Sequence, residues 1–98
     1  MFGNMMERLQ EMQQKTEEAK KRLDSITVTG EAPGGAITIE MTGNRTVKNI
    51  NIQASLTETD KEELEDLLVI AFNKALEAAN NVHESEMKSV AMGMLPGM

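Results

Sequence analysis

TDKEELEDLLVIAFNKALEAANNV, residues 59–82, is the longest periodic apolar run in the chain and decides the fold. At about 100° per residue, Leu64, Leu67, Leu68, Ala71, Phe72, Ala75, Leu76, Ala78, Ala79 and Val82 cover an arc of about 180°. Val69 and Ile70 fall outside that arc. A surface helix needs an apolar stripe of only roughly 100°, so this helix is expected to have two neighbours. Thr59 stands three residues before Glu62, and Asp60 three before Glu63. Both are capping-box spacings that satisfy the free N–H groups of a helix start. Glu58, Asp60, Glu62, Glu63, Glu65 and Asp66 crowd the same end, where the helix dipole favours negative charge.

Upstream, residues 26–53 alternate in the manner of strands. Ile26 and Val28 alternate with Thr27 and Thr29. Ile37, Ile39 and Met41 alternate with Thr38, Glu40 and Thr42, and Ile50 and Ile52 with Asn49, Asn51 and Gln53. The connections, Glu31-Ala32-Pro33-Gly34-Gly35 and Gly43-Asn44-Arg45, carry the residue types of tight turns, so a three-stranded antiparallel meander is the simplest topology. Val47 is out of phase with Ile50 and Ile52, which implies a bulge or a late strand start. Such a sheet has one apolar face that needs a cover. The helix from Thr59 is expected to supply it, burying Leu64, Leu68 and Phe72 at roughly 1.5–3 kcal/mol each.

Residues 4–24 read as a further helix, rich in helix formers and free of Pro and Gly. Met5, Leu9, Met12, Thr16, Ala19, Leu23 and Ile26 follow at alternating gaps of four and three, a heptad seam. Twenty-one residues reach roughly 32 Å, so part of this helix is expected to project beyond the body. With Leu9 at heptad position a, Arg8, Lys15 and Arg22 all fall at g, Lys20 at e and Lys21 at f. Neither a parallel nor an antiparallel pairing with a second copy of this helix gains charge complementarity, which disfavours self-zippering. Glu11 with Lys15, Glu17 with Lys21 and Glu18 with Arg22 also have the spacing of ordinary intrahelical pairs on a solvated face.

Ninety-eight residues make one domain, spanning 1–98. Within it the expected parts are a projecting helix (4–24), a sheet (26–53), a core helix with a C-terminal extension (59–92) and a flexible tail (93–98). Phe72 is the one internal aromatic ring, so a partner chain is expected to complete the core, with Leu64, Leu67, Leu68, Phe72 and Leu76 as its anchors. No Cys is present, and nothing resembles a signal peptide or a membrane span, which places the protein in the cytoplasm by expectation. The net charge of −6 argues, taken globally, against nucleic acid. It is unevenly spread, however: residues 57–66 carry six acids and one Lys, whereas residues 1–22 carry four acids and five bases.

Catalytic constellations are missing from this pattern. One His, His83, without Cys supports neither an activated nucleophile nor the usual zinc ligand sets, and no enzyme activity, metal, cofactor or small-molecule substrate is expected. Gly34-Gly35 lacks the following Lys and Ser/Thr of a phosphate loop, and the acids of 58–66 lack calcium-loop spacing. The cations Arg8, Lys15, Lys20, Lys21 and Arg22 have a chemistry suited to phosphates, and Gln10, Gln13 and Gln14 to base edges or sugars.

Four stretches together resemble one family. They are VTGEAPGGAITIEMTGN at 28–44, NINIQASL at 49–56, LEDLLVIAFNKA at 64–75 and GMLPG at 93–97, preceded by NMMERLQEMQQK at 4–15. In combination they are similar to the YbaB/EbfC family of bacterial nucleoid-associated proteins over nearly the whole chain. The resemblance implies an α+β, αβββα protomer in an intertwined homodimer, with the N-terminal helices projecting as arms. It further implies binding to double-stranded DNA with little sequence preference, and a place on the nucleoid. Lys15, Lys20, Lys21 and Arg22 are then the expected phosphate contacts, with Arg8 nearer the arm tip. The alternative is a dimeric protein-interaction or adaptor module that does not bind DNA by itself, favoured by the acidic charge and the adaptable Met residues at both ends.

Overall fold

The structure, a computed structural model, describes residues 2–93, and the side chains of residues 3–93. Helix α1 (Phe2–Ser25) leads into three strands, β1 (Thr27–Glu31), β2 (Ile37–Thr42) and β3 (Val47–Ile52), and helix α2 (Lys61–Gly93) follows. The strands form an antiparallel meander in the order β1-β2-β3. This is the αβββα architecture implied by the resemblance. Of the expected tail over 93–98, everything beyond Gly93 lies outside the described residues.

Of the two capping-box spacings, the second is the one used. Glu63 N–H donates to Asp60 Oδ1 at 2.7 Å, and Leu64 N–H to the Asp60 carbonyl at 3.0 Å. Thr59 instead closes the preceding turn, its N–H donating to Ser55 O at 2.9 Å. The irregularity at Val47 is a bulge: Glu40 pairs with Asn49 and Met41 with Val47, leaving Lys48 as the extra residue on β3.

The sheet presents Val28, Gly30, Ile37, Ile39 and Met41 to α2, and Ile37, Ile39 and Met41 are fully buried. From α2 the buried residues are Ala71, Ala75 and Ala79, a stripe at four-residue spacing. Their smallness matches Gly30. A Cβ there would lie 2.2 Å from Ala75 N and 2.3 Å from Ala71 O, so helix and strand meet backbone to backbone. The core therefore differs from the expected one of large side chains. Leu64, Leu67, Leu68 and Leu76 are half-buried around the alanine stripe, and Phe72 is 41% exposed. With a helix seated so close to β1 and β2, the larger residues are displaced to its flanks.

Helix α2 also runs on past Val82, through HESEMKS, to Gly93. Beyond the sheet it packs against α1, where one narrow stripe, including Val82, Glu86 and Val90, is enough. The two helices are antiparallel: Arg22 meets Glu86, and Lys15 lies beside Gly93. Ala19 and Leu23 of the heptad seam are fully buried, while Met5, Leu9 and Met12 on the same seam are exposed, beyond the level of the last described residue of α2. About 20 Å of α1 thus extends past the described part of α2, in a molecule 68 Å long and 19 Å across.

Candidate nucleic-acid interface

The five cations singled out on α1 do not form one cluster. Arg8, Lys15 and Arg22, seven residues apart, share one stripe along the flank of the apolar seam. Lys20 lies on the opposite flank, and Lys21 faces away from both. Arg8 is exposed on the projecting part, among Asn4, Glu7, Gln10, Glu11 and Gln14. Lys15 is half-buried in the groove beside Gly93 of α2, with Glu18, Ser89 and Val90. Lys20 and Lys21 are exposed, and no ion pair engages them among the described residues.

Arg22 is different. Its Nε donates to Glu86 Oε1, and Nη2 approaches the same oxygen, with side-chain exposures of 53% for Arg22 and 21% for Glu86. Among the described residues, the three intrahelical pairs suggested by spacing on α1 do not form. On an exposed helix such a pair gains little over hydration, whereas Glu86 is held in place by the helix packing. No local signal could reveal this partner, which is 64 residues away in sequence.

The acidic start of α2 is remote from these cations. Asp66 is twenty residues before Glu86 on one straight helix, or about 30 Å from the point where α2 meets Arg22. Glu58–Asp66 therefore sit at the end of the molecule opposite the arm.

A second surface flanks the sheet. Helix α2 covers β1 and β2 but leaves bare the same face of β3, where Val47, Ile50 and Ile52 are 39%, 48% and 42% exposed. Together with Ile39, Leu68, Val69, Phe72 and Asn73, Ile50 lines an apolar trough. The alternation of β3 and the position of Val69 off the main helical arc were its sequence signals. Among the described residues, no group of three or more His, Cys, Asp or Glu could hold a metal ion, and no helix is long and apolar enough to cross a membrane.

A projecting helix with exposed cations, held on an αβββα body whose sheet face is incompletely covered, defines a class of small two-helix, meander-based modules. The family model for the YbaB/EbfC DNA-binding family matches residues 1–94. A protein of Flavobacterium johnsoniae named nucleoid-associated protein is 47% identical over 97 residues, covering 96% of this chain and 91% of its own length. An uncharacterized protein of Helicobacter pylori, known from its crystal structure, superposes with a TM-score of 0.78 over 96% of both chains at 23% identity, a likeness of fold. The chain belongs to the YbaB/EbfC DNA-binding family.

Proposed function

We propose that the protein acts as a homodimer on the bacterial nucleoid, gripping duplex DNA between its two α1 arms with little sequence preference. The observation that carries this proposal is the separation of charge. Exposed Arg8 lies on the projecting part of α1 and exposed Lys20 and Lys21 near its root, on a helix whose five bases balance its five acids, and the crowded carboxylates of 58–66 lie about 30 Å from that root. An acidic protein can then still offer phosphates a locally favourable surface. Family membership and the nucleoid-associated relative support DNA as the partner.

The trough along β3 supports self-association. Val47, Ile50, Ile52, Val69 and Phe72 form an exposed apolar patch of the kind that marks an interface. A twofold axis sets such a patch against its own copy, and each large side chain fully buried there contributes about 1.5–3 kcal/mol. The bulge at Lys48 disrupts the free edge of β3, so the copies meet through their faces rather than by continuing the sheet. The adaptor alternative draws support from Met5, Met6, Leu9 and Met12, which are 45–64% exposed at the arm tip.

Neutralising Lys15, Lys20, Lys21 and Arg22 together tests the assignment. In a plot of log affinity against log salt, the slope should flatten by about 0.9 for each phosphate that the variant no longer neutralises. A slope unchanged from that of the unmodified chain would remove these residues from the interface.

A further inference from the structure

The loop Gly43-Asn44-Arg45 joins β2 to β3, yet its polar groups are directed at the two long helices. We propose that this loop is the bracket that sets the angle of the α1 arm, with Asn44 as the positioning residue. The proposal rests on the arms being the DNA-gripping elements.

The last carbonyls of a helix need donors from outside it, and α1 has no Gly at its end to fold the chain back over them. Ile26 N–H and Ser25 Oγ–H supply two donors, to Leu23 O at 3.2 Å and Arg22 O at 2.7 Å. The loop supplies another, since Gly43 N–H is shared between Leu23 O at 3.0 Å and Ile26 O at 3.2 Å. Asn44 Nδ2 reaches further back, donating to Lys20 O at 2.9 Å and to Asp24 Oδ1 at 2.6 Å. Asn44 thus holds the final turn of α1 by both its backbone and a side chain. A Cβ on Gly43 would lie 2.8 Å from Leu23 Cδ2 and 3.0 Å from Leu23 O, so the approach needs glycine.

The loop itself is stiff. Thr42 N–H donates to Thr46 O at 2.8 Å and Arg45 N–H to Thr42 O at 2.9 Å, a three-residue hairpin loop. Thr42 Oγ1, in a residue only 8% exposed, accepts from the N–H groups of Asn44 and Thr46, each at 3.2 Å. Arg45 occupies the left-handed region at φ 68°, where glycine or asparagine is the easier choice. From there its Nη1 donates to Asn80 Oδ1 of α2 at 2.9 Å. One loop therefore ties the root of the arm to the sheet on one side and to α2 on the other. Packing of Ala19 and Leu23 against α2 permits rotation of α1 about its root, and Asn44 opposes that rotation with directional bonds.

The chain has no Cys, so Gln10→Cys and Glu77→Cys label uniquely two exposed sites roughly 30 Å apart along the antiparallel helices. Spin-labelled full-length chain, diluted with unlabelled chain, reports the angle within one protomer by its interspin distance distribution. Asn44→Ala should broaden that distribution and weaken DNA binding about fivefold by lowering the fraction of competent arms, with the oligomeric mass unchanged. Asn44→Asp, which places two carboxylates together, should broaden it further. Adding Asp24→Asn to that variant restores the wild-type charge and a donor–acceptor pair, and should narrow the distribution again. An undisturbed distribution in both Asn44→Ala and Asn44→Asp overturns the bracket. A disturbed distribution in a chain whose unmodified form does not retain DNA would leave the bracket standing and overturn the DNA-gripping role of the arms.

Discussion

Gly30→Ala is expected to be among the most damaging single-methyl changes available in this protein. The added Cβ would meet Ala75 N at 2.2 Å, Ala71 O at 2.3 Å and Ala75 Cα at 2.8 Å, all of them backbone atoms that no rotamer change can move. Ordinary contact needs about 3.5 Å, so α2 must retreat from β1 by roughly an ångström, loosening the whole Ala71, Ala75 and Ala79 stripe. Overpacking of this kind costs about 1–3 kcal/mol, and the upper end applies because the loosening spreads along the stripe. About 3 kcal/mol is a large share of the 5–15 kcal/mol that holds a typical domain folded. Urea denaturation should show a midpoint lowered by about 1–3 M at an unchanged m-value. Ala75→Gly added to Gly30→Ala should not rescue it, since the clash is with backbone. A Gly30→Ala variant within about 0.5 kcal/mol of the unmodified chain would refute the close seating of α2 on β1.

Other substitutions address the remaining parts. Glu86→Gln removes the charge that neutralises Arg22 beside the arm while keeping an acceptor for its Nε–H, so DNA affinity at low salt should rise about threefold to fivefold, measured by titration of a labelled duplex, while stability shifts by no more than about 1 kcal/mol. Ile50→Asp or Phe72→Asp introduces a charge into the trough and should reduce the mass seen by light scattering from twice 10.8 kDa to that of one chain. Asp60→Ala should cost about 1 kcal/mol in thermal or chemical unfolding by removing the N-cap bond, whereas Thr59→Ala should stay within about 0.5 kcal/mol.

The elements were legible where local chemistry decides. Alternation placed the three strands, the phase of Val47 exposed the bulge, and Asp60 with Glu63 marked where α2 begins. After Val82 the pattern turns polar, because the helix needs only a narrow stripe against α1, and HESEMKS continues it to Gly93. The composition of the core was misleading. Large residues dominate the apolar arc of residues 59–82, but Gly30 lets the backbones approach so closely that only alanines fit between them, and Phe72 remains on the flank. Within the candidate interface, periodicity on α1 separated the stripe of Arg8, Lys15 and Arg22 from Lys20 and Lys21. Neither the hold of Glu86 on Arg22 nor that of Asn44 on the root of the arm has a local signature, because each joins residues brought together only by the complete fold.

The central claim is that an acidic chain binds DNA through the exposed cations of α1, a helix whose five bases and five acids balance, well away from the crowded carboxylates of 58–66. The direct measurement is retardation of a short duplex of arbitrary sequence by the purified protein, at low and at moderate salt. The account predicts a retarded complex at low salt whose log affinity falls linearly with log salt, at about 0.9 per phosphate neutralised. Free duplex at every protein concentration, even at low salt, would contradict it.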